Sequence, residues 1–132
     1  MSNFFSTYKI IFYAFNFFLV LLYLFPGSLS GWVVYGNKQI QPQITPDFLI
    51  SSNHFYLFVL ISIVGFLTFV KQIQKKNLMI YLILLSIVLE IFHLFIPERS
   101  FQWSDLFGNL AGVIVVILVK NLINKYGVFK KK

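Results

Sequence analysis

Four long apolar runs, almost free of charge, dictate what this chain can fold into. They are Ile10–Phe25, His54–Val70, Leu78–Ile96 and Leu106–Val119. A helix needs about 20 apolar residues to cross a bilayer, within a usual range of about 17–25. The first three runs meet that length, the first when counted from Lys9. The fourth meets it if its helix begins near Ser104 and Asp105 and Lys120 snorkels at its end. In lipid every backbone N–H and C=O must be satisfied by the protein itself, which leaves helices and closed barrels. None of the runs alternates in polarity as barrel strands do. The expected fold is all-α: a four-helix transmembrane bundle, one domain over residues 1–132. Its spans are expected at about 9–25, 54–70, 78–96 and 105–120, with an outer loop at 26–53.

Composition agrees with lipid as the solvent. Hydrophobic residues make up 58% of the chain and charged residues 11%, where a soluble domain carries about a quarter charged. The net charge of +7 would raise nucleic acid as a partner in a soluble protein. Here the basic residues flank apolar runs, so topology accounts for them and no nucleic-acid partner is assigned. With no cysteine, disulfides, thiolate metal sites and a thiol nucleophile are excluded.

Four spans place both termini on one side, together with the Lys71–Asn77 connection. That side holds Lys9, Lys71, Lys75, Lys76, Lys120, Lys125 and Lys130 to Lys132, against Lys38 and Arg99 on the other. The positive-inside rule then puts both termini in the cytoplasm, in a multi-pass protein of the cytoplasmic membrane. Trp32 and Trp103 fall at the outer interface, where aromatic anchors belong. Two features of the first connection carry further expectations. Ser28-Leu-Ser30-Gly31 imitates a small-residue cleavage site, but the long aromatic run before it reads as a retained span rather than a signal peptide. Trp32-Val-Val-Tyr35 and Gln39-Ile-Gln41, flanking Gly36-Asn37-Lys38, read as a small hairpin.

All four acidic residues, Asp47, Glu90, Glu98 and Asp105, and both histidines, His54 and His93, fall in the outer half. Glu90 and His93 are three residues apart and share a helix face. Glu90 lies about 10 Å into the membrane from Pro97, at 1.5 Å per residue. A carboxylate there must be neutral, paired or facing water, and is a functional candidate by default. On the next helix Ser104 is expected as N-cap, and Asp105 suits the positive end of the dipole. Asp105, Asn109 and Gly112 share a face, and Gly108-x-x-x-Gly112 permits close helix approach. Arg99, in the short turn, is expected to neutralise Glu90 or Asp105, and His54 to join the cluster. Asn16 is expected to face the bundle. Two histidines with carboxylates suffice chemically for a zinc or iron site. No ligand-spacing motif is complete, so neither metal nor cofactor is assigned.

The ordered run Glu90-x-x-His93-x-x-x-Pro97-x-Arg99-x-Phe101-x-x-x-Asp105-x-x-x-Asn109-x-x-Gly112 resembles the core of the VanZ-like family, membrane proteins named for a teicoplanin-resistance protein. His54-Phe55 matches a histidine that recurs near the start of the preceding helix. The resemblance covers roughly residues 46 to 119. Two departures stand out: Ile50-Ser51 occupy the place of an acidic-basic pair, and His93 stands where the family often has glutamine. The resemblance implies an envelope-associated membrane protein, in some members linked to glycopeptide resistance.

On this reading Glu90 and Asp105 are the candidate catalytic groups, with Glu90 as a desolvated base, and His54, His93, Arg99 and Asn109 are the candidate ligand-binding groups. The expected partners are the bilayer, an anionic envelope glycolipid or glycopeptide ligand, and a second copy of the chain. The sequence leaves open whether the protein is an enzyme. A non-catalytic membrane scaffold with a structural polar cluster is the alternative, and a small proton-coupled transporter using Glu90 is a third.

Overall fold

The structure, a computed structural model, describes residues 2–127. Among the described residues there are five helices and no strand: α1 (Ser2–Leu24), α2 (Leu29–Tyr35), α3 (Ser52–Thr68), α4 (Gln72–Phe92) and α5 (Trp103–Tyr126). The expected lysine tail Lys130 to Lys132 lies outside the described residues. Helix α3 sits at the centre, packed against α1, α4 and, most extensively, α5. The core draws Phe12, Leu19 and Tyr23 from α1, Phe58 and Ile61 from α3, Leu78, Leu82 and Leu89 from α4, and Val113 from α5.

Helix α5 is long and apolar enough to cross a membrane; α1 from Tyr8 passes that test only jointly with α2, bent from it by 86°. Helix α3 is apolar but shorter, and α4 carries Lys75, Lys76 and Glu90 within its length. Around this core large apolar side chains face outward. Ile10, Phe17 and Phe18 on α1, Leu84 on α4, and Leu118 and Leu122 on α5 are all more than 50% exposed. Apolar patches on this scale are rare on soluble monomers.

Several boundaries differ from the sequence reading. The fourth span is not short: α5 runs 24 residues, Trp103–Tyr126, or about 36 Å at 1.5 Å per residue. The expected span ended near Lys120, yet the helix continues, with Asn121 and Asn124 on its exposed face. Its N-cap is Gln102, not Ser104, which lies within the first turn. Helix α4 ends regular winding at Phe92, short of the expected Ile96. There His93, Leu94 and Phe95 donate to the carbonyls three residues back, the tighter 3₁₀ pattern common at helix ends. Pro97 disfavours helical backbone at the residue before it.

The expected hairpin is absent. Trp32 to Tyr35 belong to α2, because Ser28 Oγ accepts a hydrogen bond from Gly31 N–H at 2.9 Å and nucleates a helical turn. Gly36, with φ +66°, closes it in the left-handed conformation. The β-branched and aromatic run had the propensity of a strand, but the two caps decide. The same Ser28-Leu-Ser30-Gly31 segment that imitates a cleavage site is therefore a helix start. Gly31 is buried under Ile40, whose carbonyl oxygen would collide with any β-carbon there.

Helices α3 and α5 meet through the Gly108-x-x-x-Gly112 stripe. A Cβ on Gly108 would lie 2.7 Å from the Ser51 carbonyl oxygen, and one on Gly112 would lie 2.6 Å from that of Phe55. The small residues thus let two backbones approach at side-chain-free distance. This seam fixes His54 on α3 opposite Asp105 and Asn109 on α5. At the other end Thr68 Oγ1 donates to the Tyr8 carbonyl at 3.2 Å, and Lys120 Nζ lies 4.5 Å from the Phe66 ring centre.

Candidate functional site

The site forms where α1 and α4 end and α3 and α5 begin. Its floor is made of side chains that the sequence spreads over four helices: Tyr23, His54, Glu90, His93 and Asn109 are all at most 5% exposed. Above them lies a cavity of about 430 Å³, bordered by His54, His93 and Asp105 from the helices and by Lys38, Glu98 and Arg99 from the connections.

Asn109 is the hub. Its Nδ2 donates to the Ser86 carbonyl at 3.3 Å, so its Oδ1 points the other way and accepts. The Tyr23 hydroxyl donates to that Oδ1. Having used its proton there, the Tyr23 oxygen can only accept from His54 Nδ1, 2.9 Å away. His54 Nδ1 also lies 3.1 Å from Asn109 Oδ1, an acceptor. Both neighbours therefore require the proton of His54 on Nδ1. The opposite ring nitrogen, Nε2, faces Asp105 Oδ2 at 3.4 Å.

The second pair follows the same logic. His93 Nε2 is 3.1 Å from the Tyr23 carbonyl, which accepts, so Nε2 carries a proton. His93 Nδ1 faces Glu90 Oε1 at 3.2 Å, and one further proton held between them satisfies both. Glu90 Oε1 also accepts the Gln102 backbone N–H at 2.9 Å. That N–H belongs to the N-cap of α5, the donor that the third helical residue takes in a capping box. Here the third residue is Asp105. Because Glu90 of another helix takes the N-cap donor, the Asp105 carboxylate is left to face His54. Glu90 Oε2 is buried and has no hydrogen-bond partner.

Arg99 does not do what the sequence led us to expect. It forms no ion pair with Glu90 or Asp105. Its Nε donates to the Phe25 carbonyl at 3.2 Å and its Nη2 to the Leu22 carbonyl at 2.8 Å. These are groups at the C-terminus of α1, where orphan carbonyls and the negative end of the dipole favour a cation. Partial burial lowers the guanidinium pKa from its ordinary value, opposed chiefly by the charge of Asp105; the group remains cationic. Glu98 pairs instead with Lys38 at 2.8 Å. It sits at φ +62°, a backbone conformation uncommon for a non-glycine residue. Asp47 lies on the cavity wall and accepts the Ser52 N–H at 2.7 Å, supporting the start of α3. Asn16 faces the bundle and donates to the Tyr81 hydroxyl on α4.

The structure thus brings His54, Glu90, His93, Asp105 and Asn109 into one connected cluster and sets Arg99 on its rim. Sequence reasoning missed Tyr23. It is one of seven tyrosines, ends an aromatic-rich helix, and has no spacing that singles it out. The one available signal was a hydroxyl placed at the same end as the histidines. Tyr23 also stacks on His93, with ring centres 5.6 Å apart, so α1 is an integral wall of the site. His54, Glu90 and Asp105 each offer a ligand atom, and these lie within 4.8 Å of one another. No family model, curated protein or solved structure matches this chain.

Proposed function

We propose that this protein is a VanZ-like four-helix transmembrane bundle of the cytoplasmic membrane, whose outward cavity binds an anionic, lipid-linked envelope ligand. Support for the membrane reading comes from the outward apolar side chains of α1, α4 and α5. Lysines mark the end bearing Thr68 and Lys120, while the cavity end holds Lys38 and Arg99. That asymmetry favours an outward cavity and cytoplasmic termini. Support for the family comes from the ordered Glu90, Pro97, Arg99, Asp105, Asn109 and Gly112, most of which the fold gathers around one seam.

A single observation carries the ligand reading. The buried polar cluster opens into a cavity of about 430 Å³ instead of being sealed, and it leaves one carboxylate oxygen without a partner. A network that served only to orient helices would satisfy its own valences, since each buried unpaired polar atom costs about 1–3 kcal/mol. Arg99 and Lys38 on the rim suit a phosphate or carboxylate headgroup, and a lipid tail can leave sideways between apolar helix faces. Of the two candidate acid–base groups, Asp105 borders the cavity and can meet such a ligand directly, while Glu90 lies buried behind it.

The test is binding of a polyprenyl phosphate to the protein in nanodiscs, with phosphatidylcholine as the control lipid. Arg99→Gln should weaken binding about tenfold, the loss of one charge-assisted contact worth about 1.4 kcal/mol. Unchanged affinity in a variant that keeps its thermal stability overturns the ligand reading and leaves the scaffold. Single cysteines beside Arg99 and Lys75, in a chain with no native cysteine, should be labelled from opposite faces of the membrane.

A further inference from the structure

We propose that His54, Glu90 and Asp105 form a binding site for one divalent transition-metal ion, with zinc the best fit to the donor set. This goes beyond the lipid-ligand reading and does not depend on it. Three observations converge. His54 Nε2 and Asp105 Oδ2 face each other at 3.4 Å. Two ligands on one tetrahedral zinc ion, each about 2.0–2.1 Å from it, stand about 3.3–3.4 Å apart. The pair already has the separation that a shared ion imposes, and it is longer than the roughly 2.7–2.9 Å of a charge-assisted hydrogen bond.

The second observation is the tautomer. Tyr23 and Asn109 hold the His54 proton on Nδ1, so neutral His54 turns the lone pair of Nε2 towards a carboxylate. Two electron-rich atoms in that position are held together by a proton or by a metal ion, and the 3.4 Å separation suits the metal ion. A metal-binding histidine typically donates its other N–H to an oxygen acceptor, which orients the ring and raises its basicity. Asn109 Oδ1 and the Tyr23 hydroxyl occupy that role here.

Glu90 supplies the third and independent sign. Its side chain is 0% exposed, yet its Oε2 has no hydrogen-bond partner. A carboxylate oxygen of Glu90 lies within 4.8 Å of the ligand atoms of His54 and Asp105. Closing to zinc distances asks for a side-chain adjustment of up to about 1.5 Å. Glu90 Oε1 is anchored by Gln102 N–H and His93, and these would serve as the outer contacts that hold a ligating carboxylate. One histidine and two carboxylates neutralise a divalent ion. Three protein ligands leave a fourth position for water or a ligand oxygen, and His54 and Asp105 both border the cavity.

The experiment uses the full chain, purified without a histidine tag, stripped with chelator and reloaded with Zn²⁺ or Co²⁺. Wild type should retain about one metal per chain after buffer exchange, and the Co²⁺ form should show the intense visible bands of a tetrahedral site. Asp105→Asn and His54→Ala should each lower affinity at least tenfold, while Asp47→Asn, on the cavity wall, should keep wild-type affinity. If the two site variants do not fold, the Co²⁺ spectrum of wild type decides alone. A weak octahedral spectrum, or retention below 0.1 metal per chain (on the order of background), overturns the proposal, as does equal affinity in folded site variants. Metal content is read without any lipid present. Loss of the metal result with polyprenyl phosphate binding intact therefore overturns this inference alone, and the reverse outcome overturns only the lipid reading.

Discussion

At the cavity end, Tyr23, His54, Glu90, His93 and Asn109 are buried and bonded to one another across four helices. At the opposite end, Lys9, Lys71, Lys76 and Lys125 lie exposed around the rim. Polar bonds described there run to backbone, such as those of Thr68 to Tyr8 and Val64. The contrast shows two uses of polarity in an apolar chain. Exposed lysines contribute little to the fold, since solvated charges have small net energies. Buried, mutually bonded groups are committed: removing one strands the others, because an unsatisfied buried polar atom costs far more than the bond contributed.

The sharpest way to break this contrast is at Asn109. Asn109→Ala removes the acceptor for Tyr23 and His54 and the donor to Ser86. It should destabilise the protein by about 3 kcal/mol, the cost of stranding buried polar groups, measured by denaturant titration in detergent. A loss below about 1 kcal/mol would mean that the cluster is not cross-bonded as described.

Next in size is the seam that holds the cluster together. Gly112→Ala puts a methyl 2.6 Å from the Phe55 carbonyl oxygen and 2.9 Å from the Phe58 Cβ. Such overpacking should cost about 1–3 kcal/mol in the same titration. It should also loosen His54 from Asp105, seen as faster hydrogen exchange at the start of α3. The smallest effect belongs to the other end. Lys76→Ala should change stability by no more than about 0.5 kcal/mol, and a larger loss would erase the distinction between rim and cluster.

Much of the site was legible in the chain because ionisable residues are so scarce. With four acidic residues and two histidines, a simple alternation of spans was enough to gather them at one end. Spacing then put Glu90 with His93 and Asp105 with Asn109. The particular bonds were not legible. Arg99 was expected to seek carboxylates and instead binds the carbonyls of Leu22 and Phe25, because the packing brings the open carbonyls at the end of α1 within hydrogen-bond reach of its guanidinium. Nothing in a linear pattern reports where one helix stops relative to the turn between two others. Tyr23 was invisible for the same reason, being an ordinary aromatic near the end of α1 until α3 and α5 are laid beside it.

The sequence alone settled an all-helical fold, the polar asymmetry between the ends and the glycine stripe that invites close packing. These follow from local properties: backbone groups must be satisfied within a segment, charges are excluded from apolar runs, and side-chain size is written at each position. Tertiary structure decided the rest. It gave the N-cap donor of α5 to Glu90, freed Asp105 to meet His54, set the proton of His54 through Tyr23 and Asn109, and left one oxygen of Glu90 without a partner. Each of these depends on distances between residues far apart in the chain. A hydrogen bond is won or lost over half an ångström, a scale set only when the helices pack.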